Sequence, residues 1–420
     1  MANKQTICLL NDSFPPVIDG VANTVVNYAK HIQNDAFDSV VITPSHPDAD
    51  DSVFPYRVLR YPSILAEKFA DYPAGVPFSP DVVRNIKEVD DVKILHSHCP
   101  IISTFMAREL RLIVNAPIVM TYHTKFDIDI SKFVKGQALQ TAAKKLLAEN
   151  ISACDEVWTV SHGAGENLQA LGYEGDYIVM PNGVDIKSGR VEDEKILDLK
   201  KQYNIPENAT TYLFVGRLMW YKGIKLILDA LAKLKNQTSD FRMVFVGEGT
   251  DGEEIAEYAK TANIDKNCIF VGALHDRGKL SVWYCASDLF LFPSSYDTNG
   301  LVVREAAACS TPSVLLRGSC AAEGVKDFEN SFLIDDDADS LYMLLSSLTK
   351  EKMRAVGKTA NEDLYLSWET AVKMAMDRYN IISERYKRGE FPKRKKPMDG
   401  FMKMAGDLMT AFAKLPKKDG

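Results

Sequence analysis

With 420 residues, 46% of them hydrophobic and 25% charged, the chain has the make-up of an ordinary soluble protein and room for two or three domains, each with its own core. No stretch approaches the roughly eighteen apolar residues of a membrane span, and a net charge of −7 argues against general nucleic-acid binding. Seven cysteines, odd in number and never in C-x-x-C spacing, fit reduced core thiols of a cytoplasmic protein better than disulfides or zinc ligands.

The opening run Thr6–Leu10 is too short, and too soon followed by Asn11-Asp12, for a signal peptide; it predicts a first buried strand. Apolar strand patterns recur at Ser39–Thr43, Ile94–Ser97, Ile118–Tyr122, Glu156–Val160 and Tyr177–Met180. Helical patterns lie between them, as at Val21–Ile32, Thr104–Ile113 and Lys135–Ala153. A polar segment follows, and the alternation restarts with strands at Thr211–Val215, Arg242–Val246, Cys268–Val271, Leu289–Phe292 and Ser313–Leu316. Helices are predicted at Ile224–Leu234, Gly252–Ala262, Lys279–Ala286 and Leu301–Ala308. Alternating β and α elements predict parallel sheets covered on both faces. The chain thus reads as two successive doubly wound α/β domains, over 1–186 and 208–368, joined by a linker at 187–207. Two such domains facing each other would form a cleft, because ligands of open α/β sheets bind beyond the carboxyl ends of the strands.

One stretch carries the chemistry. After the strand Leu289–Phe292 comes Pro293-Ser294-Ser295-Tyr296-Asp297-Thr298-Asn299-Gly300, and a helix opens at Leu301 with Glu305 one turn in. A helix start preceded by glycine offers free N–H groups to an anion, and flanking carboxylates accept hydrogen bonds from hydroxyls. Phosphate together with hydroxyls suggests a nucleotide-sugar. Val215-Gly216-Arg217-Leu218, followed by Tyr221-Lys222-Gly223, places two cations at another strand end, where they would stabilise a departing diphosphate without a metal.

The acid-x7-acid spacing after F-P-S resembles the donor-binding motif of glycosyltransferase family 4, the retaining enzymes of the GT-B fold. That family carries Glu at the first position, where this chain has Asp297. Its G-R-L-x-x-x-K-G motif matches at Gly216, Arg217, Leu218, Lys222 and Gly223, and its P-N-G-V-D turn at Asn182–Asp185. The resemblance implies that Arg217 and Lys222 hold the diphosphate and Glu305 the ribose. It assigns the hexose to Asp297 and Asn299 with the Gly300, Leu301 and Val302 backbone, and the base region to Gly272 and Leu274. It also implies a crossover helix, after Ser367-Trp368-Glu369, returning over 369–390 to the first domain. No cofactor is implied beyond the donor substrate, and no metal.

In the first domain, Asp19-Gly20 stands where the family has two glycines, and Gly20 alone is carried over as a donor contact. Thr121-Tyr122-His123-Thr124 puts His123 at a strand end, as a proton donor or hydrogen-bond partner for a sugar hydroxyl; in related enzymes a His here lies beside the transferred hexose. His96 and His98 have no third ligand in view and read as packing. Asp127-Ile128-Asp129 matches a metal motif of a different, single-domain fold and is read as an acceptor-side loop, with the helix from Ser131 and the segment Tyr61–Pro80 as further acceptor-side candidates. Asp335–Asp337 reads as a solvated turn.

From Arg385 to Gly420 there are eleven Lys/Arg against four Asp/Glu, leaving about −14 on the rest. Lys393, Arg394, Lys395 and Lys396 precede a stripe at helical spacing that includes Phe401, Leu408 and Phe412. A basic cluster beside an amphipathic segment predicts that the tail 391–420 attaches to an anionic membrane surface. Together these features look like bacterial enzymes that add glucose from UDP-glucose to diacylglycerol at the cytoplasmic membrane face. Three alternatives stay open: a glycosyltransferase for a glycan or soluble acceptor, a nucleotide-sugar epimerase or hydrolase, and a membrane-associated nucleotide-sugar binding protein. The sequence sets no oligomeric state.

Overall fold

The computed structural model describes residues 4–391 except 18, 66–72, 77–78, 127–129, 131–133 and 275. Its contacts divide into two units, one of Met1–Pro181 with the segment from Trp368 onward, the other Asn182–Ser367.

The first unit is built on β1 (Gln5–Leu10), α1 (Gly20–Ile32), β2 (Phe37–Pro44), β3 (Arg57–Tyr61), a short hairpin of β4 (Ser63–Leu65) with β5 (Pro73–Gly75), α2 (Pro80–Ile86), β6 (Val92–Ser97), α3 (Ile102–Val114), β7 (Ile118–Tyr122), α4 (Gln137–Ile151), β8 (Glu156–Thr159), α5 (His162–Ala170) and β9 (Ile178–Val179). Among the described residues its main sheet runs β3-β2-β1-β6-β7-β8-β9, every pair parallel. Strands buried on both faces need largely apolar runs, which is what Ile7–Leu10 and, apart from the buried Thr121, Ile118–Tyr122 supply.

The second unit contains α6 (Asp193–Gln202), β10 (Thr210–Val215), α7 (Ile224–Lys235), β11 (Phe241–Val246), α8 (Gly252–Thr261), β12 (Cys268–Gly272), α9 (Arg277–Ala286), β13 (Leu289–Phe292), α10 (Leu301–Ala308), β14 (Ser313–Leu316), β15 (Phe332–Ile334), α11 (Ala338–Ser347) and α12 (Lys350–Leu364). Its parallel sheet has the order β12-β11-β10-β13-β14-β15. Both sheets reverse direction beside their first strand, between β1 and β6 and between β10 and β13. A crevice opens at such a reversal, at the carboxyl ends of the strands.

The segment 187–207, expected as a linker, carries α6 instead. One side chain of that helix, Ile196, is buried, so its sequence shows no apolar stripe. The helix belongs to the second unit and packs against α9.

The last helix, α13 (Trp368–Lys387), closes the first unit against α1 and β6. Trp368 meets the edge of Tyr28, with centroids 6.1 Å apart, and Tyr379 stacks on Trp158 at 5.2 Å. Glu156 accepts from the Trp158 indole N–H (2.7 Å) and from the Arg378 guanidinium, pairing two acceptors with buried and half-buried donors. No helix among the described residues is long and apolar enough to cross a membrane. All seven cysteines are free thiols.

Glu109, on α3, is fully buried and neither carboxylate oxygen has a partner. Burial pushes its carboxyl up to about 7 from 4.5. With the folded value above the unfolded one, its contribution to stability is fully present below about pH 4.5 and is lost as pH rises through 7. Glu109→Gln is therefore expected to stabilise the protein by about 2 kcal/mol at pH 8, with the gain fading toward pH 5. Urea melts at the two pH values measure this; an equal effect at both would show that the charge is not responsible.

Candidate functional site

In the second unit, the turns following β10 and β13 lie at adjacent strand ends, at the sheet's reversal. They are pressed together: a Cβ on Gly223 would fall 2.0 Å from the Pro293 carbonyl oxygen, and Gly223 has φ +79. Glycine is needed there on both counts.

This contact brings the Lys222 ammonium to 3.5 Å from Asp297 Oδ2, with both side chains largely shielded. Lys222 Nζ also lies over the Phe292 ring, 5.4 Å from its centroid. The other Asp297 oxygen, Oδ1, accepts from the backbone N–H groups of Asn299 (3.0 Å) and Gly300 (2.5 Å), fixing the loop. Arg217 is exposed and donates to the Tyr221 hydroxyl at 3.0 Å; Tyr221 in turn meets Tyr296 edge-on. Arg217, Lys222 and Asp297 are thus linked through one pair of turns.

Gly300, at φ +61, caps α10, and no acceptor among the described residues takes the N–H groups of Leu301 and Val302. The Asn299 side-chain amide is sealed without a partner at either end. Open donors and an unsatisfied amide beside a lysine suit an anionic, hydroxyl-rich ligand.

Glu305 is more enclosed than its sequence position suggests. It is 5% exposed, and both oxygens are engaged, Oε1 by Arg277 Nη1 and Oε2 by the Tyr284 hydroxyl, each at 3.0 Å. Burial pushes its carboxyl up, while the Arg277 guanidinium and the Tyr284 hydroxyl pull it back. A ligand hydroxyl would share those oxygens through their remaining lone pairs. Arg277 and Tyr284 went unnoticed in the sequence because they come from α9, outside any motif that includes Glu305. Gly272, at φ +85, is bridged to Gly247, and the neighbouring Ala273 N–H donates to Glu248 Oε1; Leu274 packs against the core.

In the first unit, α1 does not offer its leading N–H groups to a ligand. Asp19 Oδ1 accepts from Val21 (2.7 Å) and Ala22 (2.8 Å), so the chain's own carboxylate takes the anion position. Gly20 has open space where a Cβ would be. His123 directly follows β7 and is 7% exposed, with Nε2 3.0 Å from His98 Nδ1. Burial pulls its imidazole down to about 4, against an opposing pull from Asp19, so at neutral pH it is an uncharged hydrogen-bonding group and not a cationic acid. His96 is packed, as expected: it bridges the Tyr379 hydroxyl (2.5 Å) and the Thr121 hydroxyl (2.7 Å), and its ring lies 4.0 Å from that of His98.

Asp335–Asp337 form an exposed turn, with Asp337 capping α11. Asp127–Asp129, Ser131–Phe133 and the tail residues Lys393, Arg394, Lys395, Lys396, Phe401, Leu408 and Phe412 lie outside the described residues. Among the described residues, no three His, Cys, Asp or Glu side chains form a group that could hold a metal ion.

Two family models match the chain. Residues 18–188 match Glycosyltransferase Family 4, and residues 195–362 match Glycosyl transferases group 1. The chain belongs to the family 4 glycosyltransferases. This glycosyltransferase is 26% identical over 340 residues to a GDP-mannose-dependent alpha-mannosyltransferase of Corynebacterium glutamicum, covering 78% of the chain and 76% of that protein. It is 22% identical to an alpha-monoglucosyldiacylglycerol synthase of Streptococcus pneumoniae (73% and 70% covered), and 25% identical to a phosphatidyl-myo-inositol mannosyltransferase of Mycolicibacterium smegmatis (87% and 90%). Among solved structures, HepE of Anabaena in complex with UDP and glucose matches with a TM-score of 0.67 at 18% identity, over 89% of this chain and 99% of that one. Sucrose-phosphate synthase of Thermosynechococcus elongatus matches with a TM-score of 0.68 at 22% identity, over 90% and 99%. The glycosyltransferase therefore has the GT-B architecture of two Rossmann-like domains.

Proposed function

We propose that this glycosyltransferase is a retaining hexosyltransferase that moves glucose from UDP-glucose to a lipid hydroxyl, diacylglycerol being the first candidate, at an anionic membrane surface. The observation that carries the donor side is the Lys222–Asp297 pair at 3.5 Å, where the two turns meet at the reversal of the sheet. An ammonium there neutralises the diphosphate as it departs, with Arg217 reinforcing it from the same turn, so no divalent cation is required. Asp297 and the open N–H groups of Leu301 and Val302 hold the sugar. In the retaining step the acceptor oxygen bonds to the anomeric carbon as the carbon–phosphate oxygen bond breaks, and the acceptor proton passes to the departing phosphate on the same face.

The lipid acceptor is supported by the diacylglycerol and phosphatidylinositol named for two relatives, and by the cationic tail. Mannose donors named for other relatives make GDP-mannose the main competitor. A screen of UDP-glucose, UDP-galactose and GDP-mannose against diacylglycerol, phosphatidylinositol and soluble sugars tests both halves. The expected product is a glucosyl lipid formed from UDP-glucose with retained α configuration. Transfer only to soluble sugars, or isomerised donor without transfer, would overturn the reading.

For the membrane, deletion of residues 392–420 is expected to reduce sedimentation with anionic vesicles about tenfold or more at low salt, each Lys or Arg contributing about 1 kcal/mol, while UDP binding is unchanged. Equal sedimentation of both forms would remove the tail from the account.

A further inference from the structure

Packing alone does not account for His98. It directly follows β6, is 2% exposed, and is anchored by its backbone N–H, which donates to the Leu10 carbonyl oxygen at 2.8 Å. Its ring meets those of Tyr28, at 5.3 Å between centroids, and His96, at 4.0 Å. Yet its Nε2 is sealed from solvent with no partner. An apolar side chain in the same space would bury no orphaned nitrogen. The ring nitrogen that does have a partner is Nδ1, 3.0 Å from His123 Nε2.

The two histidines stand at the carboxyl ends of neighbouring parallel strands, β6 and β7, and their side chains meet across that step. Their ring planes lie within 20° of each other and their centroids are 5.2 Å apart. That separation is the N···N distance plus about one ring radius at each end, so the rings meet edge to edge and the shared hydrogen lies close to both planes. Burial holds both imidazoles well below the ordinary histidine range, so at neutral pH both are uncharged. Two neutral rings share one hydrogen, and one must donate while the other accepts. Were His123 the donor, His98 would carry its own hydrogen on Nε2, a buried N–H with no acceptor. With His98 as donor, Nε2 keeps only a lone pair, and an unmet acceptor is the lesser cost. His98 therefore donates from Nδ1, and His123, accepting at Nε2, carries its hydrogen on Nδ1. That nitrogen has no partner among the described residues and is not sealed, so it is the open polar atom of the ring.

We propose that His98 is a positioning residue that fixes the tautomer of His123, so that His123 presents a hydrogen, and not a lone pair, to an oxygen of the ligand. Free histidine prefers its hydrogen on Nε2, and the bond from His98 imposes the other form. His123 then orients the ligand as a neutral donor and has no lone pair on that side with which to take up the acceptor proton. The catalytic part of this role rests on the transfer reaction proposed above, in which that proton passes to the departing phosphate; the tautomer does not.

The test is long-range proton–nitrogen NMR correlation on the full-length protein carrying isotope-labelled histidine, at pH 7.5 and without ligand. The His123 signals are those missing from His123→Ala. The expected result is a protonated nitrogen at His123 Nδ1 and a bare one at Nε2 in the wild type, with the two reversed in His98→Leu. With UDP-glucose and diacylglycerol vesicles, His98→Leu should lower kcat about tenfold, the worth of one hydrogen bond. Placed in His123→Ala, the same change should cost less than about twofold more, because the residue through which it acts is gone. A His123 hydrogen on Nε2 in the wild type, an unchanged tautomer in folded His98→Leu, or a tenfold loss that persists in the His123→Ala background would overturn the proposal. Absence of turnover by the wild type would count against the donor and acceptor reading alone, since the spectra need neither. A thermal melt of each variant establishes that it is folded.

Discussion

Lys222→Ala is expected to lower kcat by about 10²- to 10³-fold while changing stability by less than about 1 kcal/mol. The catalytic estimate follows from the role proposed for the ammonium: it meets charge that is fully developed only as the diphosphate leaves, so its loss falls mainly on the transition state. The small change in stability follows from the setting. Asp297, its partner at 3.5 Å, keeps two backbone N–H donors when the lysine is removed, so no carboxylate is stranded. Donor affinity should fall less than kcat. Steady-state kinetics with a thermal melt of the same preparation decide the matter: a kcat within threefold of wild type in a properly folded variant would transfer the role to Arg217 or elsewhere.

Gly223→Ala should be more damaging to the fold than any change of a charged residue at the site. The added methyl would meet the Pro293 carbonyl oxygen at 2.0 Å and its carbon at 2.8 Å, atoms that belong to backbone and cannot rotate away. The left-handed φ of +79 adds about 1 kcal/mol or more. Relief requires the turn after β10 to part from the turn after β13, separating Lys222 from Asp297. A loss of at least about 2 kcal/mol is expected, together with loss of measurable nucleotide-sugar binding. An alanine variant with wild-type melting and donor affinity would mean that these turns are not held together by this contact.

The strands that build both sheets were legible because parallel strands covered on both faces must be largely apolar; Ile118–Tyr122 and Leu289–Phe292 were placed to the residue. Elements with weaker burial signals were not. The strand Phe332–Ile334 has three residues, too few to show a period, and α6 buries one side chain. Within the site, side chains supplied by adjacent strand ends carried short local motifs, so Lys222, Asp297 and Gly300 could be named in advance. The grip of Arg277 and Tyr284 on Glu305 is a tertiary meeting of two helices, and spacing alone does not encode it. The departure at Asp19 was visible as a residue but not as a consequence: only the folded chain places its carboxylate on the N–H groups that a second glycine would leave free.

The helix Trp368–Lys387 belongs to the first unit, yet the ribosome delivers it after all of Asn182–Ser367. Tyr28, Trp158 and His96 therefore wait for their cover while an entire domain is being synthesised. The segment Asn182–Ser367 can complete its own core as it emerges, whereas the first unit cannot be finished until Trp368–Lys387 has followed it. In the nascent protein, maturation of the earlier half is set by the timing of the later one.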